Sequence, residues 1–146
     1  MNLERYKLIV SQEQGQYEFL SEGPKGVIRK VIHYLPIGNS IYNLGFGDWD
    51  EVNQKINDKS RSNNGDREKI LVTVADSVMH FMQLHPRAIV FSRGETPSKT
   101  RLYQMVIARE WKTISKLYKI KGFYLGKWED FIPAKNYDAF TLEILQ

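Results

Sequence analysis

Three cations and three hydroxyls crowd one short stretch of this chain, Arg93-Gly94-Glu95-Thr96-Pro97-Ser98-Lys99-Thr100-Arg101. Thr96 suits a helix N-cap and Pro97 the first helical position, so a helix is expected to start there. A helix N-terminus offers unpaired N–H donors and about half a unit of positive charge. With the hydroxyls of Thr96, Ser98 and Thr100 and the charges of Arg93, Lys99 and Arg101, such a start suits a phosphate or a carboxylate. Arg93, Gly94, Thr96, Ser98, Lys99, Thr100 and Arg101 are therefore the candidate anion-binding residues. The plainer reading is a capped helix start with surface cations. Gly94 lies five residues before Lys99-Thr100, one short of the P-loop spacing, and the second glycine is missing. That excludes a P-loop nucleotidase.

The surrounding charge points the same way. The net charge is +4, and between Arg87 and Lys127 ten basic residues face only two acids, Glu95 and Glu110. A local excess of this kind attracts anionic ligands, although a solvated lysine face would look alike in sequence. Glu110 raises a second question. On the expected helix it falls among Tyr103, Val106, Ile107, Ile114 and Leu117, where a carboxylate needs a partner if burial is not to cost several kcal/mol. It is a candidate catalytic carboxylate, with a structural hydrogen bond to a tyrosine or arginine as the alternative.

Other chemistries find little. There is no cysteine, and the three histidines share no metal-ligand spacing. Asp48-Trp49-Asp50-Glu51 with Asp58 lacks a calcium-loop pattern and reads as a solvated loop, so no metal is expected. Hydrolase, dinucleotide and kinase signatures are missing. Tyr42, Phe46, Trp49, Tyr103, Trp111 and Trp128 read as core and rim rather than as a base-stacking platform. The N-terminus lacks a signal-peptide core and the apolar runs are too short to span a bilayer, so a cytoplasmic protein without a membrane partner is expected.

The elements that must position these residues form an α+β pattern. Arg5–Val10, Gln16–Leu20, Val27–Leu35 and Ile41–Phe46 read as strands, with Pro36-Ile37-Gly38-Asn39 as a turn. A polar, irregular loop is expected over 47–65, followed by a helix over 66–84. A short strand over 88–91, a helix over 97–118 and strands near 120–128 and 137–145 complete the order ββββ–α–β–α–ββ. The expectation is one domain over 1–146, a twisted, mostly antiparallel sheet with two long helices packed on it.

Several stretches resemble known families. Tyr17-Glu18-Phe19-x-Ser21-Glu22-Gly23-Pro24-Lys25-Gly26, Asn43-Leu44-Gly45-Phe46-Gly47-Asp48, Ser62-Asn63-Asn64-Gly65-Asp66, Thr100-Arg101-Leu102-Tyr103-Gln104 and Asn136-Tyr137-x-Ala139-Phe140 are similar to motifs of a family of small, uncharacterised bacterial proteins. That likeness spans nearly the whole chain and, since the family's function is unknown, implies no activity. A more distant likeness is to the GNAT acyltransferases, through the element order and Leu117-Tyr118-x-x-x-Gly122-Phe123. It implies acetyl-CoA as cofactor, with the pyrophosphate at Asn63, Asn64, Gly65 and Arg67, Tyr118 or Tyr103 protonating the departing thiolate, and Glu110 as base. Here that loop has one glycine, and Asp66 puts a negative charge beside it. The leading expectation is a protein that binds an anionic partner, a nucleic acid or a phosphorylated small molecule; the acyltransferase is the alternative.

Overall fold

A computed structural model describes residues 4–11, 15–57, 64–94 and 96–145. The fold is α+β, and the described residues form a mostly antiparallel nine-stranded sheet and three helices. In chain order the elements are β1 (Ile9–Val10), β2 (Gln16–Gly23), β3 (Gly26–Gly38), β4 (Ile41–Asp50), β5 (Lys55–Asn57), α1 (Arg67–Leu84), β6 (Ile89–Ser92), α2 (Pro97–Arg109), α3 (Trp111–Leu117), β7 (Tyr118–Tyr124), β8 (Lys127–Asp130) and β9 (Ala139–Ile144). The strand order is β1-β2-β3-β4-β6-β9-β7-β8, with β5 paired to β4. β4 pairs with β6 in parallel, over Ile41–Leu44 and Ile89–Ser92. A parallel pair needs a long crossover, and α1 supplies it.

Several boundaries depart from the sequence reading. The expected first strand shrinks to Ile9–Val10, whose side chains are both exposed, while Tyr6 is buried ahead of it. Pro36, Ile37 and Gly38 continue β3 instead of turning the chain. The expected loop over 47–65 is in part the end of β4, a turn and β5; its residues 58–63 lie outside the described residues. The long helix is two helices that meet at Glu110, which has φ −96° and ψ 18°. Hydrogen bonding runs through the bend, since Glu110 N donates to Val106 O while Ile114 N donates to Glu110 O. Beyond it, Trp111 lies against Phe131, with ring centroids 5.0 Å apart. Tyr118 is consequently the first residue of β7 rather than the end of a helix.

Two compact units divide the contacts: residues 1–35 with 45–81, and residues 36–44 with 82–146. In the first, Tyr17, Phe19, Ile32 and Tyr34 of β2 and β3 are buried, as are Leu71, Val74 and Phe81 of α1. Tyr34 stacks on Phe81 at 4.2 Å, and Phe19 stacks on Tyr6 and on Phe46. The apolar stripe of α1 is interrupted by buried Thr73 and Ser77, which hydrogen-bond to Tyr6 N and to Tyr34 Oη. In the second unit Phe140 is fully buried and sits in a chain of rings with Phe131 and Tyr137. Its β7–β8 hairpin closes in two residues, Leu125 and Gly126, both with positive φ as a type I′ turn requires.

Candidate functional site

Thr96 caps α2 as its residue type predicts, its Oγ1 accepting from Lys99 N at 3.2 Å. Thr100 Oγ1 accepts from Gly94 N at 2.9 Å, and Thr100 N donates to Thr96 O. These two hydroxyls hold the backbone turn between β6 and α2. Gly94 lies so close to the backbone of Lys99 and Thr100 that a Cβ there would collide with it, so the glycine is required by packing. Arg93, Ser98 and Arg101 are exposed and Lys99 is half-buried. The anion-binding candidates thus split into a structural set, Gly94, Thr96 and Thr100, and an exposed set, Arg93, Ser98 and Arg101, with half-buried Lys99 beside them. Just before them Ser92 is buried, and its Oγ has no hydrogen-bond partner among the described residues.

The carboxylate and tyrosine candidates are distributed differently. Glu110 is half-buried at the bend, and its buried Oε1 has no hydrogen-bond partner among the described residues, so the partner expected for it is missing. Glu110 acts through its backbone as the C-cap of α2, and its side chain makes no cap to α3. Tyr103 is buried in α2, and Tyr118 is buried in β7, where burial pushes its phenol above the ordinary value. Leu117, expected on the apolar face, is about half exposed.

The loop candidates serve the first unit. Asn63 lies outside the described residues. Asn64 is 2% exposed, accepts from Lys25 N at 2.7 Å and donates to Gly26 O and Ser21 Oγ. It thereby ties the β2–β3 turn to the start of α1, with Gly23 packed tightly on it. Asp66 Oδ2 accepts from Tyr6 Oη and from Ser21 Oγ, each at 2.5 Å, and Asp66 O receives Ile70 N as α1 begins. Gly65 has φ +75°, and Arg67 is exposed in the first turn. Asp66 is a carboxylate at the positive end of the helix, where a negative charge is stabilised.

Sequence reasoning missed three arrangements. Lys30 is buried on β3 and pairs with Asp48 of β4, a bond visible only once the two strands are adjacent. Asp50 caps its own turn through Val52 N and Asn53 N, and Glu51 pairs with Arg29, so the acidic run is occupied by neighbours. In the second unit, Gln104 of α2 is buried, donating to Lys135 O and Asn136 Oδ1 and accepting from Tyr137 N. Beside it, hydrogen bonds from Lys135 and Tyr137 hold the Glu129 carboxyl below the usual range. No group of three or more metal-ligating residues occurs among the described residues, and none of their helices is long and apolar enough to cross a membrane.

Motifs remote in sequence therefore meet in space. Ser21–Gly26 closes on Asn64 and Asp66 in one unit, and Thr100–Gln104 closes on Asn136 and Tyr137 in the other. No match was found among curated proteins or among solved structures. A family model does match residues 2–144, and its description is a family of unknown function, DUF6934. With that match covering almost the whole chain, the protein belongs to the DUF6934 family.

Proposed function

We propose that the second unit binds a polyanionic, phosphate-bearing ligand through the outward cations at the start of α2 and those that follow along α2, α3 and β7. The observation that carries this reading is the division of charge. The unit formed by 36–44 and 82–146 holds eleven of the 21 basic residues and six of the 17 acids, a net of +5, and the other unit has a net of −1. Arg93, Arg101, Arg109, Lys112, Lys116 and Lys119 are all exposed. The hydroxyls of Thr96 and Thr100 are engaged with backbone, which favours an extended ligand held by charge over a closed phosphate pocket. Retention on heparin tests it. Wild-type protein is expected to elute at moderate salt and Lys99→Glu/Arg101→Glu at distinctly lower salt. Unchanged retention would reduce the segment to a solubilising surface.

A GNAT-like acyl-CoA-dependent transferase is favoured by one observation, the order of strands, helix, strand, helix and closing strands. Its cofactor would have to rest at the start of α1, where the Asp66 carboxylate lies. Acetyl-CoA raising the melting temperature would support it, because a ligand selective for the folded state stabilises that state.

A further inference from the structure

We infer that the face of the second unit's sheet turned away from α3 is a docking surface for a second copy of this chain, with a two-fold axis along the seam between β9 and β7. The inference stands apart from the polyanion reading. Strand register assigns the two faces. Phe140 pairs with Gly122 and with Ser92, and Tyr137 fills the space over Gly122. Phe131 bridges Phe140 to Trp111 of α3, so that face carries the helical layer. Side chains alternate along strands, which turns Phe91, Thr141, Lys121 and Asp130, one row in register, to the other side. Ala139, Phe123 and Trp128 form the next row there, and Glu143 with Lys119 another.

The middle of this face is aromatic. Phe123 and Trp128 have ring centroids 5.1 Å apart, Phe91 and Trp128 6.1 Å, and Trp128 is 44% exposed. The charges around the rings cancel, since Glu143 opposes Lys119 and Asp130 opposes Lys121. A face of one sign repels its own copy, whereas a neutral face with an apolar centre can pack on itself. Among the described residues none of these four side chains is held in an ion pair. Across the face the strands run β6, β9, β7, β8. Two such faces stack with their strands nearly aligned, and a two-fold axis parallel to the strands keeps each residue at its height along them. Placed on the β9–β7 seam, that axis halves the set and lays β9 on β7 of the second copy and β6 on its β8. Glu143 then faces Lys119 of the second copy, and Lys119 faces its Glu143, which makes two ion pairs between the copies. Ala139 comes against Phe123 of the second copy, a small residue against a ring. An axis along β7 would instead set Lys119 and Lys121 against themselves, so the charges choose the seam. Asp130 is exposed on the edge strand β8, where its carboxylate reaches water.

Sedimentation equilibrium of the full chain over a concentration series tests this. A patch of four short strands is small, so a reversible dimer with a Kd on the order of 10 µM is expected. Glu143→Lys sets lysine against lysine and should weaken the dimer roughly tenfold, as should Lys119→Glu. The exchanged pair Lys119→Glu/Glu143→Lys should dimerise as the wild type does. Trp128→Ala should also weaken the dimer roughly tenfold, and Thr141→Arg takes its place if circular dichroism shows that Trp128→Ala does not fold. A chain that stays monomeric up to about 0.5 mM would leave the face to another partner and overturn the inference. A dimer indifferent to both Glu143→Lys and Trp128→Ala would use another surface and overturn it as well. If the exchanged pair stays as weak as the single variants, the axis along the β9–β7 seam is wrong.

Discussion

Glu110 joins two helices through its backbone while its buried Oε1 finds no partner among the described residues. A buried oxygen in that state carries a desolvation penalty with nothing to offset it. Glu110→Gln removes the charge and breaks no hydrogen bond, so stability should hold or rise by up to about 1 kcal/mol. A loss of about 2 kcal/mol in urea melts would mean that the carboxylate has a partner in solution. The tyrosines that the GNAT likeness offers as acids sit in different elements, Tyr103 in α2 and Tyr118 in β7. Gly94 makes a related point, since its place in the candidate set comes from the close approach of backbone rather than from ligand chemistry.

Among elements, the start of α1 shows how local types acquire distant duties. Asn and Asp are residue types that favour helix caps, and Asn64 and Asp66 precede α1. Asn64 instead binds Lys25 N, Gly26 O and Ser21 Oγ, and Asp66 takes Tyr6 and Ser21. Asn64→Ala removes the side-chain partner of the part-buried Lys25 N–H and Gly26 carbonyl of the β2–β3 turn, which should lower stability by about 1–2 kcal/mol. A urea midpoint unchanged from wild type would mean that water replaces the side chain. The junction of α2 and α3 is a comparable case, because Trp111 just beyond it packs on Phe131, a residue distant in the chain.

For the whole molecule, the decisive connection is β9. It lies between β6 and β7, pairing Val90 with Leu142 and Ile120 with the same Leu142. The last strand in the chain is thus interior to the sheet, and it carries the fully buried Phe140. Truncation before Ala139 removes the partner of two strands and should abolish the cooperative thermal transition of the second unit, read by near-ultraviolet circular dichroism. A truncated chain that melts at the wild-type temperature would contradict the topology. Such pairing of distant segments also places the protein among slower folders. Charge is a second whole-molecule property, and its concentration in one unit is what the proposed ligand answers to.

The sequence by itself determined the class of fold, a helix over 66–84 that forms as Arg67–Leu84, the cap at Thr96 and the central strands, because each rests on short-range periodicity or on one residue's preference. Only tertiary structure decided where Glu110 breaks the second helix, because the apolar period of 3.6 runs on through Trp111 and Ile114 without a local sign of the break. Tertiary structure also decided that Thr100 and Gly94 serve each other and that Asn64 serves a turn far away in the chain. Hydrogen-bond partners depend on which segments become neighbours, and no local pattern encodes that. For the same reason Phe91, Phe123 and Trp128 look like scattered apolar residues in sequence. Strand order and register bring them to one face.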